Sequence, residues 1–186
     1  MNTTEIKVMQ AVVGAVADGM WGPRSVAACR GYLRSLMPSP NPWPEQDEAS
    51  LHAFYGSPGD EDQLVNLPVN GVFYEGEAVR TIRCHRKVAK SLGRILVQLA
   101  ASPHAGILTK YAGCFNDRSV RGGSSPSLHA RGAAIDLDPD HNANGQAWPN
   151  SAIIPIGVME IFSREGWLAA GAFWGRDAMH FQATRG

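Results

Sequence analysis

The stretch Ser127-Leu128-His129-Ala130-Arg131-Gly132-Ala133-Ala134-Ile135-Asp136 constrains this chain more than any other. It sets a histidine and an aspartate seven positions apart. On one helix those side chains would lie two turns from each other, too far to share a small ion. They converge if a glycine-containing turn brings a strand back past the histidine. Gly132, followed by two alanines, leaves room for that approach. A second acid–histidine pair lies near the C-terminus, in Asp177-Ala178-Met179-His180, at the start of a strand-like run.

Two histidines and one carboxylate match the donor set of a catalytic zinc, where three protein ligands leave a fourth position for water. A further carboxylate is needed to take the water's proton and pass it to the leaving amine, and Asp177 is the candidate. The competing reading is that each histidine is a hydrogen-bonded core residue, which is the commoner fate of a lone His in an apolar strand.

Around these motifs the chain divides into three parts. In residues 1–37, Ile6, Met9, Val13 and Val16 share one helical face, and Val26, Cys29, Leu33 and Leu36 share another. The turn Ala17-Asp18-Gly19-Met20-Trp21-Gly22-Pro23 separates them, with Pro23 suited to the first turn of the second helix. Residues 38–63 alternate Pro38, Pro40, Pro42 and Pro44 with other residues and then turn acidic. They read as a stiff, extended linker with a short helix near residues 49–55. Residues 64–186 mix strands and helices. Paired strands are predicted at 71–74 and 79–84, helices at 88–99 and 156–165, and short strands at 107–111, 133–137, 172–174 and 179–183. Isolated helices among hairpin-like strands give an α+β class with a small antiparallel sheet, preceded by a small all-α unit.

The charge balance, seventeen basic against seventeen acidic residues, excludes phosphate-backbone binding as the main activity. The 186 residues are 44% hydrophobic, ordinary for a folded chain of one full domain and a small companion. No apolar run reaches the roughly 20 residues of a membrane helix. Residues 11–17 are the nearest thing to a signal-peptide core, yet Glu5 and no cationic segment precedes them. The expectation is a protein made in the cytoplasm without insertion into the membrane. Cys29, Cys84 and Cys114 show no CxxC spacing and read as small core hydrophobes.

The pattern Ser127-x-His129-x-x-Gly132-x-Ala134-x-Asp136, followed by Asp177-x-x-His180-Phe181, resembles the double signature of the zinc peptidoglycan peptidases. That family includes D-alanyl-D-alanine carboxypeptidases, vancomycin-resistance dipeptidases and phage L-alanyl-D-glutamate endopeptidases. The resemblance runs from roughly Leu64 to the end and implies a D,D-peptidase/hedgehog-like fold. It implies Zn2+ held by His129, Asp136 and His180, with Asp177 as general base and acid, where many members carry glutamate. It also implies an arginine that steadies the oxyanion. Arg118 fits the family's spacing better than Arg121, and either arginine could instead pair with Asp117 at the surface. Ser127 is expected to orient a ligand or the turn; no triad accompanies it as a nucleophile. In the last place of His180-Phe181-Gln182 the family often has glutamate.

A second resemblance lies in Met9-Gln10 and Asp18-Gly19-Met20-Trp21-Gly22-Pro23, which is similar to the D-G-x-x-G-P turn of a three-helix peptidoglycan-binding module. The alternative is a helical hairpin that merely packs on the catalytic domain. Together the two resemblances imply a phage-type endolysin, a monomer whose partner is bacterial peptidoglycan. It would accumulate in the host cytoplasm until release to the wall. The alternatives are a D-alanyl-D-alanine carboxypeptidase and a non-catalytic wall-binding protein with a structural zinc. His52, His85 and His104 have no ligand-like spacing; His141, after Asp138-Pro139-Asp140, reads as part of a solvated polar loop rather than an extra metal site, and Trp148, Trp167 and Trp174 are either groove or core.

Overall fold

The computed structural model describes residues 1–120 and 123–186. Among the described residues the fold is α+β, with one hairpin and one small antiparallel sheet among helices. Helix α1 (Thr3–Val12) starts on a reciprocal cap. The Asn2 side chain accepts from the Glu5 N–H, and the Glu5 carboxylate accepts from the Asn2 N–H. It ends before Gly14, whose φ of 74° belongs to the left-handed region. Val16, expected on the same helical face, therefore lies beyond the helix and is exposed. The turn that follows is wound around buried Gln10, whose amide donates to Asp18, Met20 and Ser25 and accepts from Gly19 N–H. Helix α2 (Pro23–Leu36) begins at a proline, as its sequence predicts, and buries Cys29 and Leu33.

These two helices share one apolar core with the rest of the chain. Arg30 Nε donates to the Ala172 carbonyl at 3.1 Å, and the Tyr32 hydroxyl bonds Glu160 at 2.9 Å. Residues 38–63 lie close against the molecule. Trp43 is buried and its indole N–H donates to the Glu165 carbonyl at 2.8 Å; Asn41 donates to the Gly166 carbonyl at 3.0 Å. Helix α3 (Glu48–Tyr55) ends in Tyr55, whose buried hydroxyl donates to the Ala183 carbonyl at 2.6 Å.

Strands β1 (Leu64–Tyr74) and β2 (Glu77–His85) form an antiparallel hairpin, longer than the alternation predicts. Its turn places Glu75 and Gly76 at φ of 49° and 85°, the pattern of a tight two-residue hairpin. Helix α4 (Arg86–Ala100) follows directly and buries Val88, Leu92, Ile95, Leu96 and Leu99. Each such side chain contributes about 1.5–3 kcal/mol on full burial.

The second sheet has the order β3-β4-β6-β5, all antiparallel. Its strands are β3 (Tyr111–Gly113), β4 (Ala134–Leu137), β5 (Leu168–Ala169) and β6 (His180–Gln182). The intervening helices are α5 (Pro139–Asn142), α6 (Ile156–Arg164) and α7 (Ala170–Trp174). Phe181 of β6 stacks on Phe162 of α6, with centroids 3.9 Å apart, and so closes the core side of the sheet.

Two expected strands take other forms. Residues 105–110 form a 3-10 helix, and only the last expected strand residue, Tyr111, enters β3. Residues 172–174 lie in α7, capped by left-handed Gly175. A short apolar run carries no period that separates strand from helix. A Cβ at Gly171 would stand 2.8 Å from the Ala178 Cβ and 2.9 Å from the Met159 Cε. Among the described residues, no helix is long and apolar enough to cross a membrane.

Candidate metal and catalytic site

The site begins with a 3-10 turn, Leu128–Arg131. The Ser127 hydroxyl oxygen accepts from the His129 N–H at 3.3 Å and caps that turn. Gly132 then adopts φ of 64° and closes it, with its N–H donating to the His129 carbonyl at 2.9 Å. The same residue meets the end of β2: its carbonyl accepts from His85 N–H at 2.8 Å, and a Cβ there would lie 2.8 Å from that nitrogen. The chain leaves this turn as β4. In the β4–β6 ladder Asp136 is directly opposite His180, so pleat and register put both side chains on one face.

Three donor atoms meet there. Asp136 Oδ1 is 3.2 Å from His129 Nε2 and 2.9 Å from His180 Nδ1, and the two nitrogens are 3.1 Å apart. A tetrahedral zinc, with bonds of about 2.0–2.1 Å, separates its ligand atoms by about 3.3 Å, close to these spacings. The residues are 3%, 8% and 7% exposed, so their arrangement is built into the interior. His129 Nδ1 lies 2.6 Å from the Cys114 carbonyl. A carbonyl can only accept, so Nδ1 carries the hydrogen and Nε2 turns its lone pair to the cluster.

The electrostatics agree with a cation-seeking site. Burial pushes the Asp136 carboxyl up, but hydrogen bonds and charge from His129 and His180 outweigh it and hold Asp136 well below the usual carboxylate range. Burial pushes the His180 imidazole down, but Asp136 outweighs it through a hydrogen bond and charge, and Asp177 adds to the upward shift. The three atoms require a positive charge among them, which a proton or a divalent ion supplies. Among the described residues, these three form a group with metal-ligand spacing.

The cluster floors a cleft whose rim includes Arg118, Asp177, Arg176, Glu48 and Trp174. Asp177 sits in the left-handed region at φ of 57° and heads the turn into β6, with its carbonyl accepting from His180 N–H at 2.9 Å. The turn is held from behind, because Met179 N–H donates to the Asn142 carbonyl at 3.1 Å. Arg118 is half-buried; its carbonyl accepts from Ser127 N–H at 3.0 Å and its guanidinium reaches the Ser119 carbonyl at 3.3 Å. Arg121, the other candidate arginine, lies outside the described residues. Trp174 stacks on His180 with centroids 5.6 Å apart, whereas Trp148 and Trp167 are buried in the core. His85 is buried away from the cleft, and His141 pairs with Asp138.

Neither Gln182 as a partner of His180 nor the Cys114 carbonyl as a partner of His129 follows from the sequence motifs. Gln182 stands two residues after His180 on the same strand, a spacing that by itself places both on one face. Glu48 and Leu51 also line the cleft, brought there by the segment read as a linker.

A small α+β protein with a buried His–Asp–His donor set at the base of a cleft has the ingredients of a metal-dependent hydrolase. The family described as D-alanyl-D-alanine carboxypeptidase matches residues 121–183, which contain all three donors and Asp177. No curated protein and no solved structure matches the chain. The family match and the donor set together support a metallopeptidase.

Proposed function

We propose that the protein is a zinc peptidase that hydrolyses an amide bond in the stem peptide of bacterial peptidoglycan, as an L-alanyl-D-glutamate endopeptidase of the phage endolysin type. The observation that carries this reading is the meeting of His129 Nε2, Asp136 Oδ1 and His180 Nδ1 beneath a cleft whose rim includes Asp177 and Arg118. Held by His129, Asp136 and His180, zinc would lower the pKa of an attacking water toward about 7 and act as a Lewis acid for the scissile carbonyl. Asp177 takes a proton from the attacking water and delivers it to the leaving amine. The left-handed turn at Asp177 aims a side chain one methylene shorter than the glutamate of many relatives. Arg118 holds the carbonyl oxygen as it becomes an oxyanion. Ser127 keeps the His129 turn capped. Residues 64–186 form the catalytic unit, 38–63 connect it to residues 1–37, and the helices of 1–37 hold the wall while packed against α6 and α7.

A second reading is favoured by the description of the matching family: a D-alanyl-D-alanine carboxypeptidase that trims the terminal residue. Incubating the zinc-loaded protein with purified sacculi and weighing the products separates the two. The endopeptidase releases stem peptides beginning with D-glutamate, whereas the carboxypeptidase removes one alanine. Zinc bound without any new amine supports a wall-binding protein with a structural ion and overturns both.

A further inference from the structure

The nitrogen of His180 that faces away from the cluster has its own buried support. Strand β6 alternates its side chains, so Phe181 enters the core while His180 and Gln182 face the cleft side. His180 Nε2 is 3.1 Å from Gln182 Oε1, and Gln182 Nε2 is 2.6 Å from Thr184 Oγ1. The three residues are 7%, 4% and 0% exposed. An amide oxygen only accepts, so His180 Nε2 carries a hydrogen, and Nδ1 is the ring nitrogen turned to Asp136 and His129. The amide's other end donates to the Thr184 hydroxyl at 2.6 Å, which holds the side chain against the ring.

His129 obtains the same service from the Cys114 carbonyl, a main-chain atom that no side-chain change removes. For His180 the service comes from a side chain, and a neutral one. We propose that Gln182, oriented by Thr184, is the positioning residue that fixes His180 as an Nδ1 metal ligand without adding negative charge to the site. This inference rests on the metallopeptidase reading above. A buried chain of two hydrogen bonds, ending on a hydroxyl with no further exposure, is costly to leave half-made, so the relay resists rearrangement.

Three full-length variants test it: Gln182→Leu, Gln182→Glu and Thr184→Val. Zinc affinity is read by competition with a chromogenic chelator. The His180 Nε2–H proton is followed by 1H–15N NMR in metal-free protein, where its protection from exchange reports the relay alone. Gln182→Leu weakens zinc binding about 10–100-fold, the usual cost of removing a partner behind a ligand, and abolishes the protected proton. Gln182→Glu retains both, because the acceptor oxygen survives. Thr184→Val loses part of each and decides the matter should Gln182→Leu fail to fold. Zinc affinity within about twofold of wild type in Gln182→Leu, or weakened binding with the proton still protected, overturns the proposal. Wild-type protein that shows the protected proton yet takes up no zinc overturns the metallopeptidase reading and leaves the relay standing.

Discussion

The floor and the rim of the cleft are built in opposite ways. On the floor, Asp136 and His180 are paired by strand register, and His129 is fixed by a capped turn and a main-chain carbonyl. All three are buried. On the rim, Asp177 and Arg118 are half-buried and belong to loops, with their backbones tied down and their side chains facing the cleft. Under the proposed function the contrast separates two tasks. A donor set must hold its geometry whether or not substrate is present, and sheet register does that at little entropic cost once the sheet has formed. Groups that move protons or meet a developing charge must reach a substrate, which loops over a rigid base allow.

The sharpest way to break this division is to change the floor alone. Asp136→Asn keeps the shape but removes the charge on which both imidazoles converge. The variant is expected to lose stoichiometric zinc on dialysis, by atomic absorption, and all wall-hydrolysing activity with it. Changing the rim alone has the complementary result. Asp177→Ala retains one zinc per chain while turnover falls about 10²–10⁴-fold, the range for loss of a positioned general base. If Asp177→Ala instead digests sacculi at the wild-type rate, the rim has no part in proton transfer and the division fails.

How much of this could be read in the sequence follows the same line. The donor residues were legible because their chemistry resides in their side chains and their spacing demands a turn into a strand. The turn at Glu75-Gly76 and the period of α4 were legible for local reasons too. What was not legible depends on main-chain atoms or distant packing. The Cys114 carbonyl behind His129 has no residue-type signature. Residues 172–174 lie in a helix whose Gly171 approaches Ala178 and Met159 closely, a contact between segments the sequence does not relate. The alternating prolines of 38–44 read as a stiff linker, whereas Trp43 and Tyr55 pin its surroundings to the core, and only the fold shows their partners.

Gly132 is the seam between the floor and the packing beneath it, and a smaller effect is expected there. An alanine at φ of 64° is strained, and its Cβ would stand 2.8 Å from the His85 backbone nitrogen, which cannot move without losing its bond to the Gly132 carbonyl. Gly132→Ala should cost about 1–3 kcal/mol, seen as a fall in Tm. Zinc binding should weaken with it, since His129 lies in the turn that Gly132 closes. A full Tm with weakened zinc would show the seam serving the floor only.

The smallest expected effect tests whether the support under the seam is independent of the floor. His85 is buried, with Nδ1 accepting from Lys87 N–H at 3.0 Å and Nε2 donating to the Tyr55 carbonyl at 3.0 Å. That pattern suits the neutral ring, because a second proton on Nδ1 would face an N–H donor. Burial first, then the charges of Lys87 and Arg86, hold the ring below its ordinary value of 6.5, against the pull of the Tyr55 carbonyl. Below pH 6.5 the unfolded chain therefore takes up a proton that the folded chain refuses. This contribution is unchanged above that pH and becomes destabilising as pH falls through 6.5 toward the lower folded value. His85→Asn keeps a good cap for α4 and removes the titration. Between pH 7.5 and 5.5 the wild type should lose a few degrees more Tm than His85→Asn, measured on metal-free protein so that the floor's own protonation enters both curves alike. Equal losses would mean that the acid sensitivity of the fold resides in the floor, and that the seam merely transmits it.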